Sequence, residues 1–305
     1  MHRISRLAGI LGCAAALATV GCASNSSMAP TTGSTVSAQA RATHVLHYMA
    51  TRFTPRNSDT YIGVLFSYYG GPVLLDPKVY IIFWGYKKYG DPDKVAPLLE
   101  AYTKVEGGSR HDNIYTQYSD IVNGKTSYIT NPKGQQGGIW FDNTNPVPAN
   151  PDDAQVAQES LNGVAKFGYD PNGSYVVATP HGRSTQGFGS QFCAYHSSVE
   201  NGGDLVSYTN LPYMPDGGIS CGSNDILAPK DESGVDEGVT IVAGHEYGES
   251  ITDPNPPSGW YNFKYGEIGD ICAWMGVANE KFANRSYTMQ PMYSNASESC
   301  VQGYK

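Results

Sequence analysis

The 305-residue chain carries 28 acidic against 20 basic side chains, a formal net charge of −8. With that balance and no Lys/Arg cluster, nucleic acid and anionic membrane surfaces are poor partners. Hydrophobic residues make up 40% of the chain, enough for a core, while 35 Gly and 19 Pro call for many turns and ordered loops.

Residues 1–22 have the order of an export signal: His2, Arg3 and Arg6, an apolar run from Leu7 to Val20, then Gly21-Cys22. The run is about 14 residues, too short to span a bilayer as a helix. Thr19-Val20-Gly21-Cys22 resembles a bacterial lipobox, with threonine a departure at its first position. Cys22 is therefore the expected lipidation site and a lipid anchor the one expected membrane contact; cleavage without lipidation would give plain secretion. Losing Arg3 and Arg6 with the signal takes the formal charge from −8 to −10. Residues 23–58, rich at their start in Ser, Thr, Ala and Gly, read as a flexible tether, which leaves 59–305 as a single domain of roughly 245 residues.

Export also accounts for the cysteines. Cys13 leaves with the signal, Cys22 carries lipid, and Cys193, Cys221, Cys272 and Cys300 remain as an even set in an oxidising compartment. Four cysteines allow three pairings; Cys193 with Cys221 and Cys272 with Cys300 is the expected one. Each bond would close a loop of about 28 residues and contribute roughly 3–4 kcal/mol in the chain-entropy model.

In chain order, Val79-Tyr80-Ile81-Ile82-Phe83-Trp84 is a nearly continuous β-rich apolar run and predicts a central strand covered on both faces. Asp91 to Lys104 reads as a helix carrying Val95, Leu98, Leu99 and Tyr102, and Asn113 to Ile121 as a shorter one. Gly124 to Asn150 mixes Tyr128, Ile129, Ile139, Trp140 and Phe141 with Gly, Asn and Pro, as strands joined by turns would. Pro151 to Phe167 has an acidic first turn and predicts a helix, followed by short strands at Ser174 to Thr179 and Asp204 to Tyr208. This alternation predicts an α/β or α+β fold, a mixed sheet with packed helices and long loops stapled by disulfides.

The next helix carries the chemistry. Ser233-Gly-Val-Asp236 resembles a capping box, Val235, Val239, Ile241 and Val242 follow at helical spacing, and Asp253-Pro254 must end the helix. His245 and Glu249 stand at i,i+4 on one face, and Glu246 lies about 100° round the helix, within reach of a water held there. Gly244 and Gly248 each cost roughly 1 kcal/mol in a helix interior, which predicts another backbone passing close by. The layout is that of a His-Glu-x-x-His zinc helix with glutamate in place of the second histidine. Zinc is the expected ion; the carboxylate hardens the site towards calcium, magnesium or manganese. An i,i+4 ion pair without metal is the bland alternative.

Tyr68-Tyr69-Gly70-Gly71-Pro72-Val73-Leu74 through Trp84-Gly85, His245-Glu246 through Thr252-Asp253-Pro254, Gly259-Trp260-Tyr261 and Glu267-Ile268-Gly269-Asp270-Ile271-Cys272 resemble the phosphate-induced protein 1 / EXORDIUM-like family and its bacterial relatives. Phe192-Cys193-Ala194-Tyr195-His196 is like that family's Cys-x-x-His element. The resemblance spans most of Ser67 to Cys300 and implies secretion and a general fold more than a reaction. The helix is also similar to the active-site helix of zincin metallopeptidases. That similarity implies His245 as ligand, Glu246 as general base and Glu249 in the place of the second ligand.

A third ligand must come from further along. Glu267 and Asp270 follow a Pro/Gly turn, where a return pass is natural; Asp253 is about 12 Å of helical rise from His245 and reaches the same ion only if the chain doubles back. The expected order is Glu267, Asp270, Asp253, with His196 as a catalytic or ligand imidazole from elsewhere. Asp253 reads equally well as a turn residue before proline. His181 follows a strand end and could face a cleft, while His44, His47 and His111 show no partner pattern. Trp260 and Tyr261 suit a substrate groove or plain packing, and Ser184, Ser190 and Ser220 lack a nucleophile-elbow pattern.

The expectation is an exported metallopeptidase-like hydrolase acting on a peptide or cell-wall polymer, with Glu246 as base. Its rival is a non-catalytic cell-surface or cell-wall-associated protein whose acidic cluster holds a structural ion or an ion-pair network. A carbohydrate-active enzyme stacking sugar on Trp260 or Trp140 is a third reading.

Overall fold

The computed structural model describes residues 46–55, 63–283 and 285–305. The expected export signal, the expected lipidation site Cys22 and His44 lie outside the described residues.

Six strands and three longer helices position the site: β1 (His47–Ala50), β2 (Lys78–Trp84), α1 (Val95–Glu106), β3 (Gln136–Asp142), α2 (Asp153–Phe167), β4 (Gly173–Ala178), β5 (Phe192–Asn201), β6 (Asp204–Leu211) and α3 (Glu237–Thr252). The strands form one mixed sheet in the order β1-β5-β6-β4-β2-β3. β3, β2, β4 and β6 run parallel, and β5 and β1 add antiparallel pairs at the far edge. The fold is thus the mixed α/β arrangement expected, with helices against the sheet.

Strand alternation divides the core in two. Val79, Ile81 and Phe83 of β2, Val176 of β4 and Leu211 of β6 join the larger cluster with Val239, Val242 and Ile251 of α3 and Leu99 and Tyr102 of α1. Ile82 and Trp84 of β2, Tyr175 and Val177 of β4 and Tyr208 of β6 join Val156, Ala157 and Val164 of α2 on the other face. A strand covered on both sides needs apolar residues at every position, which is why the run from Val79 to Trp84 shows no polar alternation.

Local chemistry sets the boundaries. The carboxylate of Asp152 accepts from Gln155 N at 2.9 Å while the Gln155 side chain takes Asp152 N at 3.0 Å, a capping box that starts α2. α1 begins later than its expected start at Asp91, because Asp91 stays outside the helix and accepts from Val95 N (2.7 Å) and Ala96 N (3.0 Å). The helix expected over Asn113 to Ile121 is only a 3-10 stretch, Asp112–Gln117, followed by a strand, Ser119–Val122. Asn123 (φ 52°) and Gly124 (φ 74°) form a tight two-residue link to the strand Lys125–Tyr128, and β-branched Ile121 and Val122 go with the hairpin.

Two strands of the six-stranded sheet are absent from the expectations. β5 is one. The other is β1, which lies within the expected tether: His47–Ala50 pairs with β5, so the folded domain begins before residue 59.

α3 is buried along nearly its whole length. The expected Ser233/Asp236 capping box does not form: Ser233 instead donates its Oγ to Asp231 at 2.6 Å, and Asp236 caps α3 without a side-chain hydrogen bond. Gly238 makes room for the backbone of Cys221 and Gly222, whereas Gly244 and Gly248, where a close backbone was expected, make room for side chains. A Cβ at Gly244 would meet Met289 and the Tyr102 hydroxyl; one at Gly248 would meet Met292 and the Tyr115 hydroxyl. The helix ends where expected, with Asp253 N–H donating to Glu249 O at 2.8 Å ahead of Pro254.

Both expected disulfides are present, Cys193–Cys221 and Cys272–Cys300. The first ties β5 to the turn Gly218–Cys221, the second ties the turn Asp270–Cys272 to the C-terminal strand Ser299–Val301. No helix among the described residues is long and apolar enough to cross a membrane.

Candidate metal centre

Four separate pieces of chain bring imidazoles and carboxylates to one place under the sheet. In the antiparallel register of β1 and β5, His47 stands directly opposite His196. Such partners point to the same face of a sheet. That face is the one α3 covers: Thr209 of β6, the register partner of His196, has its Oγ1 3.3 Å from Ser250 Oγ of α3. α3 contributes His245, Glu246 and Glu249, and the loop after the Trp260–Tyr261 strand returns with Glu267 and Asp270.

The centre is tight. Glu249 Oε2 lies 3.1 Å from His245 Nε2, 3.7 Å from His47 Nδ1 and 3.8 Å from His196 Nδ1. Glu267 Oε2 is 2.6 Å from His47 Nδ1 and Glu267 Oε1 is 3.5 Å from His196 Nε2. Asp270 Oδ2 is 3.4 Å from His47 Nε2, and Asp270 Oδ1 is 3.8 Å from His245 Nε2. Two three-donor groups have the spacing of metal ligands: His47, Glu249 and Asp270, and His196, Glu249 and Glu267. His245 belongs to neither group but is joined to Glu249 at the i,i+4 spacing read from the sequence.

Backbone groups fix the carboxylates. Gly269 N–H and Asp270 N–H both donate to Glu249 Oε1 at 3.1 Å, leaving Oε2 to face the imidazoles. Gly269 must be glycine for this approach, since a Cβ there would lie 2.8 Å from both Glu249 Oε1 and His245 Nδ1. Gln290 holds the same turn by donating to Gly269 O at 3.1 Å, and Asp270 Oδ2 accepts from Glu267 N at 3.0 Å.

Burial and charge are in conflict here. His196, His245, Glu249 and Glu267 are fully buried, whereas His47 and Asp270 expose 13% and 19% of their side chains. Burial alone would lower the His47, His196 and His245 pKa values, but the carboxylates outweigh it and all three are raised, His245 to about 9. Burial lifts Asp270 to about 7, with the Glu249 charge adding to it, and Asp253 to about 7, with Glu267 adding. Glu249 goes the other way: burial opposes its ionisation, yet the His245 and His47 imidazoles hold it below the usual carboxylate range.

Many of these atoms lack hydrogen bonds. His47 Nδ1, both nitrogens of His245, Glu246 Oε1, Glu249 Oε2, Asp253 Oδ2 and both oxygens of Glu267 are buried without a partner. Buried polar atoms are normally satisfied, and leaving one unmade costs about 1–3 kcal/mol. The 2.6 Å approach of His47 to Glu267 without hydrogen-bond alignment is what two donors aimed at a common cation would show. The donor set, imidazole plus carboxylate, fits zinc or manganese.

The other candidates sort as follows. His196 is in the centre, its Nδ1 3.2 Å from Glu246 Oε2 and its Nε2 3.3 Å from Asp253 O. Asp253 contributes that carbonyl, while its Oδ1 accepts from Gly259 N (2.7 Å) and Ser258 N (3.2 Å), the turn role considered for it. His181 is far from this chemistry in an exposed pair with Asp216 at 2.6 Å, and His111 is buried against Glu106 and Gln290 O. Trp260 donates Nε1 to Ser119 O and packs against Tyr118 and Tyr68. Tyr261 meets His47 edge-on with ring centres 5.7 Å apart. His47 is the residue sequence reasoning missed. Its only signal is one histidine in a short stretch with apolar neighbours, which becomes informative once the partner strand is known.

No known protein family, curated protein or solved structure matches the chain.

Proposed function

We propose that this is an exported, divalent-cation-dependent hydrolase, metallopeptidase-like, acting on a peptide or cell-wall polymer. The observation that carries the reading is the set of buried, unbonded imidazole and carboxylate atoms converging around Glu249 Oε2. His47, His196, His245, Glu249, Glu267 and Asp270 hold the ion, with zinc the first choice and manganese, magnesium or calcium the alternatives. A bound cation of this kind polarises a carbonyl and lowers the pKa of its water. Glu246 accepts the proton through the carboxylate that now meets His196. Substrate enters past His47 and Asp270. Cys22 as a lipid anchor, and the kinship with the EXORDIUM-like family carried by the residues quoted above, belong to the same proposal.

The test is Glu246→Gln on purified protein. Turnover of casein or wall polymer should vanish while metal content, measured by elemental analysis, stays at the wild-type value; retained turnover removes Glu246 from the mechanism. The full burial of four of the six donors, His196, His245, Glu249 and Glu267, favours a second reading, a structural ion in a non-catalytic surface protein. Under it, chelation lowers the melting temperature and no substrate is turned over.

A further inference from the structure

The geometry points to a centre for two divalent cations, bridged by Glu249 and Glu267, rather than one. This rests on the reading of the cluster as a cation site and deepens it. The two donor groups meet in one residue, Glu249, and are otherwise made of different side chains, His47 with Asp270 and His196 with Glu267. Glu249 has only Oε2 to offer, since Oε1 is taken by two backbone N–H groups, and that single oxygen faces nitrogens from all three imidazoles. Glu267 is fully buried and turns its two oxygens to different histidines, Oε2 to His47 and Oε1 to His196. Neither oxygen has a hydrogen-bond donor. A carboxylate held in that way is placed to join two ions, one at each oxygen.

Charge points the same way. Ligation requires neutral imidazoles, so with His47, His196 and His245 deprotonated as ligands the five carboxylates of Glu246, Glu249, Asp253, Glu267 and Asp270 are left to the cations. One dication would leave a formal charge of −3 there, and two leave −1. Buried charge without compensation is costly, so the second ion removes most of the remaining penalty. The first position takes His47, Asp270 and Glu249, with His245 Nε2 beside Glu249 and Asp270. The second takes His196, Glu267 and Glu249, next to the Asp253 carbonyl. Paired ions about 3.5–4 Å apart are a recurrent hydrolytic arrangement, in which one ion carries the attacking oxygen and both stabilise the developing charge.

The experiment strips the full mature protein with a chelator and reloads it with Mn²⁺, reading stoichiometry by calorimetry and elemental analysis and coupling by electron paramagnetic resonance. Two ions per chain with an exchange-coupled signal are expected, and Asp270→Asn should bring two ions down to one. One ion per chain, or two ions with isolated six-line signals, overturns the proposal and leaves the single-ion hydrolase standing. No bound ion overturns both. Asp270→Asn retaining two ions, or losing both, contradicts the division of donors between the two positions. The native-protein measurements need no variant, so a folding defect in Asp270→Asn does not blunt the test.

Discussion

His47 sits on an edge strand, partly open to solvent, yet its Nδ1 is within 3.7 Å of both Glu249 Oε2 and Glu267 Oε2. His47→Ala should therefore weaken cation binding by at least about tenfold, the loss typical of even an indirect partner of a metal, while the fold survives. Competition against a colorimetric chelator reads the affinity and circular dichroism the fold; unchanged affinity would remove His47 from the ligand set. His245, Glu246 and Glu249 were legible because a helix converts sequence spacing of four into spatial contact. His196 was readable as a candidate imidazole but not its place, and His47 was not readable at all, because their pairing is a matter of strand register between segments far apart in the chain. Nothing local in His47-Tyr-Met-Ala50 fixes which residue it will face. Glu267 and Asp270 fall between these cases: the return of the chain was readable from its turn residues, but not that Gly269 and Asp270 N–H groups would clamp Glu249.

At the scale of elements, α2 carries a second titration that is independent of the metal centre. Glu159 is buried against β3, where burial and the neighbouring Asp142 raise its pKa to about 8. Asp142 goes down instead: its burial is outweighed by hydrogen bonds from Thr144 and Asn145. The folded chain thus keeps the Glu159 proton over a pH range in which the unfolded chain has released it. Stability from this group falls as pH rises from the ordinary carboxylate value towards about 8 and levels off above. Glu159→Gln removes that slope, so denaturant titrations should show the variant gaining on wild type between about pH 5 and 8, by no more than about 5 kcal/mol. A parallel pH dependence in both proteins would refute it. Packing gives a second prediction on α3. Gly248→Ala gains roughly 1 kcal/mol in helix propensity, but its Cβ would press on Tyr115, which is fully buried, and on Met292. Overpacking of this kind costs about 1–3 kcal/mol, so a lower midpoint in urea is expected. The elements readable in the sequence were those with a local signature: the apolar run of β2, the Asp152 box of α2, the proline after α3. β5 was hidden because His196, Ser197 and Ser198 are polar residues buried in a sheet covered on both faces, so neither alternation nor an apolar run marks it.

Across the whole molecule the two disulfides and the candidate metal centre brace one another. Cys272 shares its turn with Asp270, and Cys193 lies on the strand that carries His196, so each bond holds one of the two donor groups. Removing Cys272–Cys300 by paired serine substitutions should cost roughly 3–4 kcal/mol, for a loop of about 28 residues in the chain-entropy model. That loss acts through the unfolded state and would be the same with or without cation. A further effect arises only in the folded chain: the turn Asp270–Cys272 loses its tie to Ser299–Val301, and ordering Asp270 and the Gly269 amide must then be done at the expense of binding. Cation at about 100 times its Kd stabilises the folded state by about 2.7 kcal/mol, worth roughly 5–10 °C in a domain of this size. Thermal melts of wild type and the serine pair, each with saturating zinc and with chelator, separate the two effects. The serine pair should melt lower in both conditions, and at one fixed subsaturating zinc concentration its metal-dependent rise should be smaller than that of wild type. Equal rises in the two proteins would mean that the disulfide supports the chain but not the donors beside it.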